Sequence, residues 1–187
     1  YVARVDSAKV LPGRERVKIT WFKQTDPRAK YAKIYWANKT DSLRVELDPS
    51  KATETLIDGL AEGSYVFDII VFDNKGHSSM KVEAIGNVYG TDYESFLYNR
   101  LVKTAKVTGN KLDVTFAAAK DTITYIGSEI FYNDINDEEK TEFIKYNESK
   151  LTINDYKKPS FKYRSLYLPA PTAIDTFYSE FDIQQTP

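Results

Sequence analysis

The chain has 187 residues, which allows one large domain or two domains of about 90 residues each. Its 26 basic and 27 acidic residues are mixed along the sequence, so it lacks the basic stripe that nucleic acids and anionic membrane surfaces require. The absence of cysteine excludes a disulfide framework and a zinc–thiolate site. No apolar run approaches the ~18 residues of a membrane span, and we predict no membrane insertion of the chain.

The first half of the chain alternates apolar and polar residues in short segments. In residues 16–22, for example, Val17, Ile19 and Trp21 share one face. The same pattern, with turn residues between the segments, predicts strands at residues 31–36, 43–47, 53–57, 66–72 and 80–88. Short strands at this spacing are typical of an immunoglobulin-like sandwich.

Residues 60–79 resemble the fibronectin type III pattern. In that family a leucine, a glycine-bearing turn and a tyrosine precede a long strand, as Leu60, Gly63 and Tyr65 do here. The spacing from Leu60 to Tyr65 is one residue shorter than is usual in the family. Trp21 lies where the family has its core tryptophan, and we expect both aromatic residues to fill the core.

Residues 91–103 break the strand pattern. Thr91 and Glu94 have the spacing of a capping box, and four apolar residues then fall on one helical face: Tyr93, Phe96, Leu97 and Leu101. We therefore predict a linker helix over residues 91–104 between two domains, residues 1–90 and residues 105–187.

The second half repeats the apolar phase of the first. At an offset of 96, Ile34 and Trp36 recur as Ile130 and Tyr132, and Ile57, Leu60, Ser64 and Tyr65 recur as Ile153, Tyr156, Ser160 and Phe161. At an offset of 95, Val17, Ile19 and Trp21 recur as Leu112, Val114 and Phe116. Strands are predicted at residues 111–118, 124–132, 141–146, 150–154, 161–168 and 174–183. The predicted fold is all-β, with two tandem fibronectin type III/immunoglobulin-like β-sandwiches joined by a short α-helix.

A second resemblance covers nearly the whole chain. Residues 12–21 (PGRERVKITW), 32–36 (AKIYW), 89–100 (YGTDYESFLYNR) and 161–177 (FKYRSLYLPAPTAIDTF) are similar to a family of Bacteroidetes surface proteins with two sandwich domains and no assigned function. The resemblance implies an exported, lipid-anchored protein from loci that gut bacteria devote to glycan capture, located at the cell surface, the outer membrane or the periplasm. The chain begins at Tyr1 and not at Met, and we expect a targeting segment upstream of it. The resemblance implies that a lipid anchor lies there as well.

Signals of catalysis and of metal binding are scarce. The single histidine, His77, lies in a predicted hairpin turn, and we expect it to be solvated and not a general base. A glycosidase would need two carboxylates in one cleft, and we predict that no such pair exists. The acidic segment 133–139 is interpreted as a solvated hairpin tip, with a calcium site as the alternative. The sequence therefore predicts no enzyme, no cofactor and no metal site.

A binding surface remains. Sugars stack on exposed aromatic rings while nearby polar groups bond their hydroxyls, and a tyrosine-rich strand region offers both. The predicted ligand-binding residues are Tyr163, Arg164, Tyr167, Asp175 and Tyr178, and the alternative is that the tyrosines pack the second sandwich. The sequence favours a non-catalytic module that binds a glycan. The alternative is a structural spacer or an interaction module that contacts another surface protein.

Overall fold

The computed structural model describes residues 1–187. The chain divides into two compact units: residues 1–92 with residues 172–175 form the first unit, and residues 93–171 with residues 176–187 form the second unit. Both units are β-sandwiches with antiparallel sheets, and one short helix, α1 (Thr91–Ser95), lies where the first unit gives way to the second along the chain.

The first unit contains seven strands in two sheets. They are β1 (Lys9–Pro12), β2 (Arg16–Trp21), β3 (Tyr31–Trp36), β4 (Asp41–Glu46), β5 (Thr53–Asp58), β6 (Gly63–Phe72) and β7 (Val82–Val88). One sheet has the order β1-β2-β5 and the other β4-β3-β6-β7. This is the arrangement of a fibronectin type III-like sandwich, in which three strands face four.

The core of the first unit lies between its two sheets. Because successive strand residues point to opposite faces, Val17, Ile19 and Trp21 on β2 all face inward, where they meet Ile34 of β3 and Phe67 of β6. Trp21 is only 1% exposed, which confirms its predicted core position. Tyr65 is partly buried against this core, and its hydroxyl donates a 2.6 Å hydrogen bond to the carbonyl oxygen of Ala61. That bond is a tyrosine-corner contact, formed despite the shortened spacing.

The second unit contains eight strands. They are β8 (Val102–Thr108), β9 (Lys111–Phe116), β10 (Tyr125–Asn133), β11 (Glu139–Lys145), β12 (Lys150–Ile153), β13 (Ser160–Tyr167), β14 (Phe177–Tyr178) and β15 (Asp182–Gln185). One sheet has the order β12-β9-β8, and the other has the order β11-β10-β13-β14, with β15 also paired to β13.

The two units have the same strand order, which confirms the repeat. Strand pairs in the smaller sheets also match, since Val17 pairs with Ile57 in the first unit and Leu112 pairs with Ile153 in the second. A backbone bond repeats as well: Leu60 N donates to Glu15 O at 3.0 Å, and Tyr156 N donates to Asn110 O at 2.9 Å. The chain thus builds one architecture twice.

One part of the predicted alignment is wrong by two residues. Ile34 pairs with Ile69, whereas Ile130 pairs with Tyr163. With β3 aligned to β10 at an offset of 96, these pairs align β6 to β13 at an offset of 94. The predicted match of Tyr65 to Phe161 requires an offset of 96 and is therefore inconsistent with the match of Ile34 to Ile130. A slip of two residues returns each side chain to the same face, so the apolar pattern could not reveal it.

The predicted linker helix is much shorter than residues 91–104. The helix ends at Ser95, and Phe96 and Leu101 are 77% and 61% exposed. The cause is competition from the second sandwich: Arg100 N donates to Ser165 Oγ at 2.9 Å, Leu101 O accepts from Ala117 N at 2.8 Å, and Val102 already begins β8. No helix in the structure has the length and apolar character needed to span a membrane.

The predicted final strand, residues 174–183, is also divided. Residues 172–175 belong to the first unit, and the remainder forms the separate strands β14 and β15. Ser179 marks the interruption, since its hydroxyl accepts from Ser165 N at 2.9 Å and its backbone N donates to Ser165 O at 2.9 Å. A side-chain bond to the neighbouring strand replaces part of the regular ladder there.

Candidate functional site

An open groove of about 460 Å³ lies in the second unit, and we call it the Phe131 groove. It is bounded by the hairpin of β10 and β11, by the connection between β12 and β13, and by β15. Its lining combines the outward-facing ring of Phe131 with amide, acidic and basic side chains, including Asn133, Asp137, Glu139, Lys157 and Lys158. The other two aromatic residues of the lining, Tyr132 and Phe161, have buried side chains. An apolar surface with several polar groups around it is the usual composition of a small-molecule site.

The alternation of β10 places Phe131 in the groove. Ile130 is fully buried and Tyr132 is 6% exposed, so the residue between them, Phe131, points to the opposite face of the sheet. Phe131 is partly buried there, and its ring makes an edge contact with Phe181 at a centroid distance of 5.5 Å. The groove therefore has a fixed aromatic wall.

Asp134 fixes the hairpin tip beside the groove. Its carboxylate is buried and accepts backbone N–H groups from Asn136 at 2.8 Å and from Glu138 at 3.0 Å. These bonds, with that of Glu138 the larger effect, lower the pKa of Asp134 and keep it ionised at neutral pH. The tip is exposed as predicted at the other residues of 133–139, and Asp134 alone is buried and holds the turn in one conformation.

Charged groups of both signs surround the groove. Lys157 Nζ donates to Asp137 Oδ2, and Lys158 Nζ donates to the carbonyl oxygen of Pro187 at 3.0 Å. Glu139 and Lys162 also line the groove. Hydrogen-bond donors and acceptors therefore line the same groove as the Phe131 ring.

A row of alternating rings and cations continues from the groove along the outer face of the larger sheet. The Lys162 ammonium group lies 5.5 Å from the Phe131 ring centre and 5.0 Å from that of Phe181, and the Arg164 guanidinium group lies 4.8 Å from Phe181 and 3.8 Å from Tyr178. We call these five residues the aromatic–cation row. Contacts of this kind between a cation and a ring face hold both side chains in place.

Arg164 is held from a second side. Its Nε donates to Glu129 Oε2 at 3.0 Å, and both side chains are about one quarter exposed, at 27% and 24%. Glu129 and Arg164 lie directly opposite each other on β10 and β13, where opposite charges stabilise the sheet. Contacts within the protein thus hold the row in place.

The structure separates the five predicted ligand-binding residues. Arg164 and Tyr178 lie together in the aromatic–cation row. Tyr163 and Tyr167 are 5% and 7% exposed, and burial raises the pKa of each to about 12, so both are neutral core residues. A ligand role for these two tyrosines stays a prediction that their burial does not favour.

Asp175 belongs to the first unit. Its carboxylate accepts Arg16 Nε at 2.9 Å, Arg16 Nη2 at 2.7 Å and the backbone N of Arg14 at 2.8 Å. The Arg16 side-chain bond is the largest influence, and it lowers the pKa of Asp175. This carboxylate is engaged in a bidentate ion pair, a geometry that fixes both partners.

His77 is 67% exposed in its turn, as predicted, but it is not free. Its Nδ1 lies 2.7 Å from Asp73 Oδ2, and its backbone N donates to Asp73 Oδ1 at 2.8 Å. Burial opposes the ionisation of Asp73, yet the bonds from His77 and Lys75 outweigh it and lower the pKa of Asp73. The pair stabilises the turn between β6 and β7. No group of three or more His, Cys, Asp or Glu side chains is arranged to hold a metal ion.

Sequence reasoning missed Phe131, Lys162 and Phe181. For Phe131 and Lys162 the signal was the strand alternation itself, since each lies between buried neighbours such as Ile130 and Phe161. Phe181 lies outside the strands and had no such signal. Tyrosine content directed attention to the inward-facing residues of β13. The outward phase of the same strands carried the better candidates.

The chain was compared with curated proteins and with solved structures. None of the curated proteins compared with the chain matches it. Among solved structures, the FN1–FN3 domains of chicken CNTN1 share 13% identity at a TM-score of 0.48, with 99% of this chain and 66% of that chain covered. A two-domain fibronectin type III segment from chicken tenascin shares 12% identity at a TM-score of 0.39, with 98% and 99% covered.

A family match covers most of the chain. Residues 1–177 match DUF4998, which is described as a domain of unknown function. This match includes all of the first unit and most of the second, including the groove hairpin and the aromatic–cation row up to Arg164. The chain therefore belongs to the DUF4998 family.

Proposed function

We propose that this protein is an exported, non-catalytic binding module that acts at the cell surface or in the periplasm and takes a glycan as its ligand. The observation that carries the proposal is the Phe131 groove, in which one ring lies among amide, acidic and basic side chains. Export and lipid anchoring rest on the resemblance to Bacteroidetes surface proteins. The two modules of this proposal are the two compact units, residues 1–92 with 172–175 and residues 93–171 with 176–187.

The groove supplies the two kinds of contact that sugars need. The C–H face of a pyranose ring packs on an aromatic face, and Phe131 offers such a face at the groove wall. Hydroxyl groups then bond to side chains that can donate and accept, which Asn133, Glu139 and Lys158 provide. The ligand would gain apolar contact and directional bonds in one place.

The aromatic–cation row would lengthen the site beyond one sugar ring. Tyr178 and Arg164 are both partly exposed and lie at the end of the row away from Phe131. Two of the five residues predicted from sequence thus have a place in the proposed site. A chain of sugars, in contrast to a single sugar, would contact both the groove and the row.

The carboxylates with altered ionisation favour binding over catalysis. A glycosidase requires a carboxylic acid that stays protonated near neutral pH. Asp134 beside the groove has a lowered pKa, as do Asp121 and Asp175 elsewhere, so each is ionised and cannot donate a proton. The hydrogen bonds that these three carboxylates accept hold local turns or an ion pair in place, which is a structural role.

The second candidate function is a spacer or a protein-interaction module. It is favoured by a pair of apolar residues on the outer face of the first unit, where Val66 and Ile85 lie opposite each other on β6 and β7 and are 49% and 73% exposed. Exposed apolar patches often mark protein interfaces. This face would contact another surface protein in a complex.

A glycan panel separates the two functions. The purified chain is tested against plant, host and microbial oligosaccharides by isothermal calorimetry and by melting temperature, since a ligand that binds only the native state stabilises it. Phe131→Ala should abolish the response. Phe72→Ala is the matched control, because Phe72 lies in an equivalent ring–cation contact on the outer face of the first unit.

The outcomes are distinct. Binding that is lost with Phe131→Ala and kept with Phe72→Ala supports the groove as the glycan site. A panel without any response at millimolar sugar argues for the interaction module, and binding that survives Phe131→Ala places the ligand elsewhere.

A further inference from the structure

Arg100 is a buried cation without an anionic partner in the second unit. The residue is 7% exposed, and its guanidinium group is held by backbone and rings: Nε donates to Ala117 O at 2.7 Å, and Nη1 donates weakly to Lys145 O at 3.5 Å. Its central carbon lies 5.6 Å from the Phe116 ring centre and 5.7 Å from that of Tyr125. None of these partners is a carboxylate.

This environment is costly for a full charge. A buried cation usually needs a counter-ion and a complete set of acceptors, because it has lost its hydration. Carbonyl oxygens and ring faces supply part of that stabilisation. They do not use all of the guanidinium donors, and Nη2 has no protein acceptor.

A cavity lies beside this cation. It has a volume of about 130 Å³, and Arg100 forms part of its wall together with Tyr98, Leu101, Ala117, Tyr125 and Tyr167. Nη2 has no protein acceptor and is not fully buried, so water-sized molecules can reach it. The cavity is the place from which a further acceptor can approach the guanidinium group.

The acidic residue at the cavity is already engaged. Asp121 accepts the backbone N–H groups of Ile123 and Thr124, each at 2.8 Å, and also the Thr124 hydroxyl. Lys120 adds a second positive charge to the same wall. The Tyr167 hydroxyl donates to Tyr98 O at 2.5 Å, and burial raises its pKa to about 12, so it stays neutral. The cavity thus keeps an unbalanced positive charge within mostly apolar walls.

We propose that this cavity is a binding site for the carboxylate group of a small organic acid, with Arg100 as its principal contact. A guanidinium group matches a carboxylate in shape and bonds it through two N–H groups. The tyrosine and alanine walls suit a short hydrocarbon portion. A volume of about 130 Å³ corresponds to about four water molecules in the liquid, which fits acids of the size of acetate or propionate.

The test is a titration of the whole chain with sodium propionate, at an ionic strength kept constant with sodium chloride. The readouts are the side-chain Nε–Hε resonance of Arg100 and the ring resonances of Tyr125 and Tyr167. We expect saturable shifts with propionate and none with propionamide, which has a similar shape and no charge. Equal shifts with propionamide or with chloride alone, or no saturable shift at millimolar propionate, would overturn the proposal.

Two variants sharpen the result. Arg100→Lys keeps the charge and loses the planar pair of donors, and it should weaken propionate binding by at least about tenfold. Arg100→Met should abolish binding, whereas Arg44→Met, which removes an arginine from the exposed ion pair with Glu46 in the first unit, should leave it unchanged. If Arg100→Met fails to fold, the lysine variant and the propionamide comparison still decide the outcome. Unchanged binding in Arg100→Lys would exclude the proposed contact.

Discussion

The two units share a strand order and differ in the segments that frame their larger sheets. The hairpin of β3 and β4 joins strands of six residues each, whereas β10 and β11 have nine and seven residues. Four residues separate β5 from β6, and six separate β12 from β13. Both longer segments border the Phe131 groove. The groove of the second unit therefore depends on its longer hairpin and connection, while the strand order of the sandwich is the same in both units.

The outer sheet faces show the same contrast. In the first unit Tyr31 and Phe72 stack nearly parallel at 5.1 Å, and Arg44 lies 3.7 Å from the Tyr31 ring centre. These ring faces are occupied by one another and by the cation. In the second unit the aromatic–cation row ends at Phe131, whose ring borders open space. Only the second arrangement leaves an aromatic surface beside a groove.

The largest expected effect tests whether the two cores are equivalent. Trp21→Ala and Phe116→Ala each remove a large, buried aromatic from matching strands, and each should lower the free energy of unfolding by about 3 to 5 kcal/mol. Urea unfolding followed by circular dichroism reports both units, and tryptophan fluorescence reports the first unit, which contains both tryptophans. A loss below about 1 kcal/mol for either variant would contradict its core position.

Trp21→Phe is the matched control for that pair. The Trp21 indole N–H is buried and has no hydrogen-bond partner, a cost that phenylalanine would remove. We therefore expect Trp21→Phe to lower the free energy of unfolding by less than about 1.5 kcal/mol, far less than Trp21→Ala.

A second prediction concerns a feature that only the second unit has. Strand β10 changes register between Tyr125 and Gly127, and a Cβ atom at Gly127 would lie 2.5 Å from Ile144 O and also against the Phe143 ring. Gly127→Ala should lower the free energy of unfolding by about 1 to 3 kcal/mol, because the neighbouring strand must move. An unchanged free energy of unfolding in urea would show that β10 and β11 can move apart at Gly127 without loss of stability.

A third prediction compares the linker with the core. Leu97 is only partly buried, so Leu97→Ala should lower the free energy of unfolding by about 1 to 2 kcal/mol, less than a complete burial would give. Leu60→Ala is the control, since Leu60 is 6% exposed and should cost about 2 to 4 kcal/mol. Equal losses in thermal or urea unfolding would mean that Leu97 is as important to the fold as a core leucine.

The smallest expected effect depends on pH. The pKa of Asp175 is lowered in the folded state by Arg16, so its stabilising effect is present above the unfolded pKa of about 3.9 and is lost as the pH falls through the folded value. Asp175→Asn should lower the free energy of unfolding at pH 7 by about 1 kcal/mol, since both side chains are partly exposed. Below the folded pKa the variant and the parent chain should unfold alike.

Glu46→Gln is the control for the ion-pair prediction. Glu46 and Arg44 are 71% and 55% exposed, so their pairing in the first unit should contribute little at any pH. A pH-dependent loss as large as that of Asp175→Asn would show that surface charge in general, and not the bidentate contact, is responsible.

The sequence alone determined the strand pattern, the repeat and the inward faces. The alternation of Val17, Ile19 and Trp21, and of Leu112, Val114 and Phe116, encodes burial directly, because successive strand residues point to opposite faces. It could not fix the register of β13 against β10, since a slip of two residues preserves that alternation. The predicted helix was also too long. The helical propensity of residues 96–104 is weaker than the hydrogen bonds that this segment forms with Ser165 of β13 and with Ala117, which follows β9.

The positions of the candidate sites depend on contacts between remote segments of the chain. Phe131, Lys162 and Arg164 come together because β10 and β13 are neighbours in one sheet and Phe181 arrives from a later segment. The burial of Arg100 follows from its bonds to Ala117 and Lys145, which are distant along the chain. Local pattern sets which face each residue occupies, but contacts between remote segments depend on strand pairing and packing, which no local pattern contains.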